Sequence, residues 1–211
     1  MLKPFRYWCS AAVLCTAVFF IVNALWIPAK AELAQWLLER TWRKRLAGDL
    51  EARPWPWADT WPVAVLEAPR LGVRELVLEG ASGRNLAFGP AMLTDIGSRD
   101  RVISGHRDTH FAFLRKLRRG DRMVVTDRSG TLAYRVIEKE VVDSRERELV
   151  LDDARQRLTL LTCYPFDALT AGGPLRLVVT AAPVTPGRQS IGQLGPHGAN
   201  RRRVVFAAEY R

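Results

Sequence analysis

The sequence predicts an all-β domain, a barrel or sandwich of seven or eight short strands, carried behind an N-terminal membrane-spanning helix. Three observations lead there. Residues 7–27 form an uncharged, strongly apolar run. From residue 62 onward, short β-rich runs alternate with Gly, Pro, Asp and Ser. No long helical pattern separates those runs, whereas a parallel α/β sheet needs crossovers of about a dozen residues or more.

The apolar run, YWCSAAVLCTAVFFIVNALWI, follows Lys3 and Arg6 and is 21 residues long. At about 1.5 Å rise per residue it matches a hydrocarbon layer of about 30 Å. Trp8 and Trp26 stand near its ends, where amphipathic rings favour the headgroup level. A cleaved signal peptide has a shorter apolar region, and the small-residue pair Ala29 and Ala31 is interrupted by Lys30 and preceded by Pro28. Neither Cys9, after Trp8, nor Cys15, after Leu14, follows the small residue that a lipoprotein site requires. Residues 1–29 are therefore expected to be an uncleaved, single-pass anchor. The charge count across it is not decisive: Lys30, Arg40, Arg43, Lys44 and Arg45 outnumber Lys3 and Arg6, but long translocated domains weaken that rule.

The formal charge of +10 favours anionic neighbours such as lipid headgroups, cell-wall polymers or nucleic acid. No recognition helix or aromatic RNA motif accompanies the charge, so nucleic-acid binding is not expected.

Residues 30–61 read as a linker. Its first part, 30–53, has the pattern of an amphipathic helix with Leu33, Trp36 and Leu37 on one face, Leu46 and Leu50 further on, and Gly48 allowing a bend. The cluster Arg43-Lys44-Arg45 reads as a solvated face, with lipid headgroups as the alternative. Three prolines among residues 54–62 exclude a helix there, and the interleaved Trp55, Trp57 and Trp61 are expected to pack across the domain, with a sticky surface as the alternative. Strands are predicted at 62–67, 73–79, 101–104, 121–127, 131–142, 157–162 and 175–181, with a short helix at 109–117 and a loop at 143–153. The domain is bounded at 62–182; residues 183–211, rich in Gly, Pro and Arg, read as a flexible basic tail.

Chemistry concentrates at strand ends. Cys163 is the one cysteine outside the apolar run, so the domain has no internal disulfide. It closes the run Leu158-Thr159-Leu160-Leu161-Thr162 and precedes Tyr164-Pro165, and a proline stops the ladder there. Such a thiol is either a reactive nucleophile or a small buried hydrophobe. His106 follows its own strand end after Gly105, and Arg176 opens another strand after the turn at 171–174. A histidine can move protons and an arginine can hold an oxyanion or a carbonyl. His106 and His110 have metal-ligand spacing, but no HExxH pattern is present and Gly105 suggests a turn, so no metal is expected.

Together these segments resemble the sortase family. LTLLTCYPF (158–166) is similar to the sortase TLxTC strand, matching at Thr159, Leu160, Thr162 and Cys163. ISGHRDTHFAFL (103–114) is similar to the histidine segment through Gly105 and His106. Arg176, 13 positions after Cys163, sits where the family has its arginine. The WPWADTWPVAVL stretch with the short anchor looks most like the proteobacterial sortases called class GN. The resemblance implies a closed eight-stranded barrel, and a transpeptidase in which Cys163 forms a thioester, His106 moves protons and Arg176 steadies the intermediate. Thr162 is implied, more weakly, as a substrate contact. It also implies a protein substrate with an LPxTG-like C-terminal sorting signal, an amine acceptor, no cofactor, and a catalytic domain outside the inner membrane. A membrane-tethered cysteine protease and a non-catalytic peptide-binding adaptor are the competing readings.

Overall fold

The computed structural model describes residues 3–168, 172–184 and 201–204. The side chains of residues 3–12, and with them Lys3, Arg6, Trp8 and Cys9, lie outside the description, as do those of residues 201–204.

A single helix, α1 (Lys3–Leu46), runs through the apolar segment and the first part of the linker without interruption, with Pro28 inside it. The amphipathic pattern predicted to residue 53 stops at 46 because Gly48 adopts φ +104°, a left-handed conformation that an L side chain resists. The Gly48 N–H donates to Arg45 O (3.2 Å) and the Asp49 N–H to Lys44 O (3.1 Å), so the last carbonyls are satisfied by a Schellman cap.

Seven strands fall within two residues of their predicted limits: β1 (Pro62–Ala68), β2 (Val73–Glu79), β4 (Asp100–Ser104), β5 (Arg122–Asp127), β6 (Gly130–Asp143), β8 (Arg157–Cys163) and β9 (Leu175–Pro183). Three are additional: β3 (Ala91–Met92), β7 (Leu149–Asp152) and β10 (Arg201–Val204). A four-residue helix, α2 (Gly83–Leu86), lies between β2 and β3, and the helix expected at 109–117 is a 3-10 turn, Ala112–Lys116.

Eight strands close into a barrel in the order β1-β2-β3-β4-β8-β9-β6-β5. The β2–β3 and β4–β8 pairs are parallel and the other barrel pairs antiparallel. The 14-residue β6 serves two neighbours, β5 through its first half and β9 through its second, with a register shift between Val136 and Glu138 that bends it around the closure. Within the stretch expected to be a flexible tail, β10 pairs with β7 as a separate two-stranded sheet. The tail residues 185–200 and 205–211, including Val205 and Phe206, lie outside the described residues.

The barrel interior holds Ala64, Leu66, Ile103, Met123, Val125, Tyr134, Leu158, Leu160, Leu177 and Val179. Strand periodicity of two sends the intervening residues outward. On β1 and β2 those outward residues, Val65, Leu76 and Leu78, are themselves buried, because Leu38 and Trp42 of α1 pack over them with Leu86 and Ala91. This double burial explains why β1 reads as a continuous apolar run and not as an alternation.

The Pro/Trp segment follows the cap. Trp61 packs against the core with the guanidinium groups of Arg45 and Arg53 at 5.1 and 4.9 Å from its ring, and Trp55 lies against Phe88 at 5.1 Å. Arg45 of the basic cluster is thus part of the linker's packing, whereas Arg43 and Lys44 are exposed. Trp57 departs from the expected packing: it is 82% exposed.

Candidate functional site

Cys163 is the last residue of β8 and is partly exposed. Leu158 and Leu160 point into the barrel, so Leu161 and Cys163 face outward; Leu161 packs on that outer face with Val142, Val178 and Leu93. In the antiparallel β8–β9 ladder Cys163 lies opposite Arg176. Directly opposed residues share a face, with Cβ atoms about 4.5–5.5 Å apart. The Tyr164 N–H continues the ladder by donating to Leu175 O (3.0 Å). The Arg176 guanidinium donates from Nη1 to Gly173 O (2.5 Å) and Leu175 O (2.9 Å), holding it over the turn from which β9 starts.

His106 arrives from the other side of β8. The parallel β4–β8 ladder ends at Ser104 opposite Leu161. Beyond it, the Gly105 N–H donates to Leu161 O (3.1 Å), and the Thr162 hydroxyl donates to Gly105 O (2.6 Å). The segment that carries His106 thus runs beside the end of β8 that carries Cys163. The three candidates therefore stand on a row of adjacent segments, in the order His106, Cys163, Arg176. Thr162, the fourth, is 2% exposed and its hydroxyl is committed to Gly105 O, so it ties the histidine segment to the cysteine strand.

Two further contacts fix the loop that carries His106. A Cβ on Gly105 would lie 2.8 Å from the ring of Phe111, which is fully buried and whose N–H donates to His106 O (2.9 Å). Only a residue without a side chain lets that ring pack directly beneath the histidine's own backbone. Arg107 then crosses to the loop after Cys163: its Nη1 donates to Pro165 O (2.6 Å) and its Nη2 to Ala168 O (2.9 Å), while its Nε faces Asp108 at 3.3 Å. Sequence reasoning passed over both residues. The signal for them was an arginine directly after the histidine and an aromatic one helical turn further on, which become meaningful only once the two loops are known to touch.

The electrostatics are asymmetric. Partial burial holds the His106 imidazole below its ordinary value, with the nearby His110 adding to the effect and Asp108 opposing it. His110 itself turns to Glu75, with Nδ1 2.8 Å from Oε2, and does not share a site with His106. On the β9 side, Arg145, hydrogen-bonded to Asp143 through its side chain and backbone, draws that carboxyl down to about 2, and the charge of Arg176 adds a smaller pull. Beside the row a cleft of about 500 Å³ opens between the loop after Cys163 (Tyr164, Phe166) and Arg115, Val141 and Leu177.

The molecule is thus a closed eight-stranded barrel with a cysteine at its rim, between the segments that carry a histidine and an arginine. The sortase domain family matches residues 66–184, and the chain belongs to the sortase family. Sortase D of Bacillus subtilis is 29% identical over 126 residues, 57% of this chain and 63% of that protein. Sortase A of Listeria monocytogenes is 28% identical over 108 residues, 48% of this chain and 49% of that protein. The chain thus matches about half to two thirds of the length of these relatives. Among solved structures, sortase A from Corynebacterium diphtheriae superimposes with a TM-score of 0.52 at 25% identity, covering 64% of this chain and 66% of that one. Sortase C-1 from Streptococcus pneumoniae gives 0.51 at 25% identity, covering 59% and 67%.

Proposed function

We propose that this chain is a membrane-anchored cysteine transpeptidase that cleaves an LPxTG-like C-terminal sorting signal and transfers the acyl product to an amine. What supports the reading is that Cys163 and Arg176 stand opposite each other on β8 and β9, while the loop that carries His106 is hydrogen-bonded to the end of β8. Two of the groups stand on rigid strands, and Phe111, Thr162 and Arg107 fix the loop that carries the third. Neutral His106, favoured by its lowered affinity for protons, takes the thiol proton as Cys163 attacks the scissile carbonyl. Arg176 stabilises the oxygen of the tetrahedral intermediate. His106 returns the proton to the departing amine, leaving an acyl thioester on Cys163. In the second half the incoming amine attacks that thioester, gives up a proton to His106, and releases an amide and the thiol. No step calls for a cofactor. Thr162 acts by fixing Gly105 and, through it, His106.

The apolar helix, exposed from Val13 onward, supports an anchor at residues 7–27; the barrel is assigned to the extracytoplasmic side of the inner membrane on the family resemblance alone. The Pro/Trp segment supports placement with the class GN sortases. Peptides carrying LPxTG-like signals, incubated with the protein and a primary amine, test the activity: an amide product supports transpeptidation. Free acid alone, at any amine concentration, identifies a protease instead. Peptide bound but never cleaved identifies an adaptor.

A further inference from the structure

Helix α1 joins the membrane segment to the barrel without a flexible joint. From Val13 to Leu33 every residue of it is exposed, and the first buried position is Ala34, followed by Leu38 and Trp42 against β1 and β2. Ala34 lies seven positions beyond Ile27, the end of the apolar run, which at about 1.5 Å per residue is roughly 10 Å. The headgroup layer on each side of a bilayer is about 5–8 Å thick. The barrel therefore begins where the headgroups end.

At that level α1 and the Pro/Trp segment enclose a groove of about 540 Å³, lined by Lys30, Leu33, Leu37, Trp55, Trp57 and Phe88. Its wall is apolar, yet Trp57 is 82% and Leu33 55% exposed. Tryptophan at such exposure is rare on a face turned to water, and it is favoured at the membrane interface, where the ring lies among headgroups and its N–H stays hydrated. The groove's cations suit phosphate. Lys30 stands over the ring of Trp26 at 5.1 Å, and Arg84 lies on the opposite rim, 3.7 Å from Asp59, the one acidic residue there.

We propose that this groove is seated in the outer headgroup layer of the bilayer that α1 spans. Trp57 and Leu33 would lie among the headgroups, with Lys30 and Arg84 reaching their phosphates. The catalytic barrel is then held upright on the membrane surface and does not swing on a tether. The inference rests on the anchor reading of residues 7–27.

The test uses the full chain reconstituted in phosphatidylcholine–phosphatidylglycerol vesicles, with lipids brominated near the glycerol end or deep in the acyl chain. Emission of Trp57 is obtained as wild type minus Trp57→Phe, and that of Trp26 as wild type minus Trp26→Phe. The expected result is at least twofold quenching of the Trp57 difference signal by the shallow bromines. Quenching of Trp26 by bromolipid with Trp57 untouched would leave the anchor standing and overturn the seating. Trp57 shielded from aqueous acrylamide but unaffected by bromolipid would assign the groove to a second copy of the chain or another protein, and equally overturn it. Loss of both signals, with the chain extracted from vesicles by alkaline carbonate, would overturn the anchor itself.

Discussion

The face of the barrel built on β1 and β2 and the face built on β8 and β9 lie across the closed sheet from each other, and they are finished differently. On the first, Leu38 and Trp42 of α1 cover Val65, Leu76 and Leu78, and an ion pair between Glu39 of α1 and Arg74 of β2 borders this apolar contact. On the second, a small cluster of Leu161, Val178 and Val142 supports an uncovered rim where Cys163 and Arg176 stand opposed. The covered face is held by packing, which tolerates no loss of volume but is indifferent to the order of side chains. The open face is held by register, where a shift of one residue turns every side chain to the wrong side. One face fixes how the barrel meets its helix, the other where the reacting groups stand.

Removing one group from each face should separate these roles. Cys163→Ala is expected to abolish both cleavage and transfer while leaving stability within about 0.5 kcal/mol, because the thiol is partly exposed and packs little. Trp42→Ala is expected to cost about 3–5 kcal/mol of stability, by loss of a buried ring, while activity per folded molecule persists. Urea unfolding and peptide turnover on both variants check the pair, and Trp42→Ala lowering turnover of the folded fraction would join the two faces in one role.

Gly105→Ala acts where register passes into packing. The added Cβ meets the Phe111 ring at 2.8 Å, and the ring is fully buried. Overpacking of this kind costs about 1–3 kcal/mol, and the displaced His106 should lower kcat by about 100-fold. Gly105→Ala combined with Phe111→Leu should recover part of the kcat.

Arg107 binds the two loops of the site to each other, and removing it frees the carbonyls of Pro165 and Ala168. Arg107→Ala is expected to lower kcat by about 10-fold with a smaller change in KM, as expected for a residue that positions others. Arg107→Lys should restore part of the rate, since one ammonium reaches one carbonyl but not the fork of two. Equal loss in kcat for the Lys and Ala variants would argue against the clamp.

The smallest effect is in pH. His106 has its proton affinity lowered in the folded state, so above the ordinary value of about 6.5 it is neutral in both states and contributes nothing. As pH falls below that value the unfolded chain takes up the proton first, and stability declines through the window between the two values. The urea midpoint of wild type should therefore fall further between pH 7 and pH 5 than that of His106→Gln.

Much of the barrel was legible in sequence because short alternating runs end at Gly, Pro and Asp, and all seven expected strands lie within two residues of their place. β3 was hidden because two residues carry no period, and β7 because Leu149 to Asp152 sits among charges that read as loop. The individual site residues were visible as strand ends. Their alignment was not, since it depends on β4 pairing in parallel with β8, segments more than fifty residues apart, and no local pattern encodes that partner. The same reason hid Arg107, whose partners lie 58 and 61 residues away. Trp57 was misjudged because a tryptophan beside prolines reads as packed, and only the path of α1 shows the groove it faces.

The central claim is that Cys163 is the nucleophile of this row, and its covalent intermediate is the most direct measure. The protein would be mixed with an LPxTG-like peptide without amine, quenched in acid within seconds, and its intact mass and peptide map recorded. The expected result is a mass increase equal to the acyl fragment, on the peptide containing Cys163, sensitive to hydroxylamine and absent from Cys163→Ala. Cleaved peptide with no adduct on Cys163, or an adduct that survives in Cys163→Ala, would contradict it.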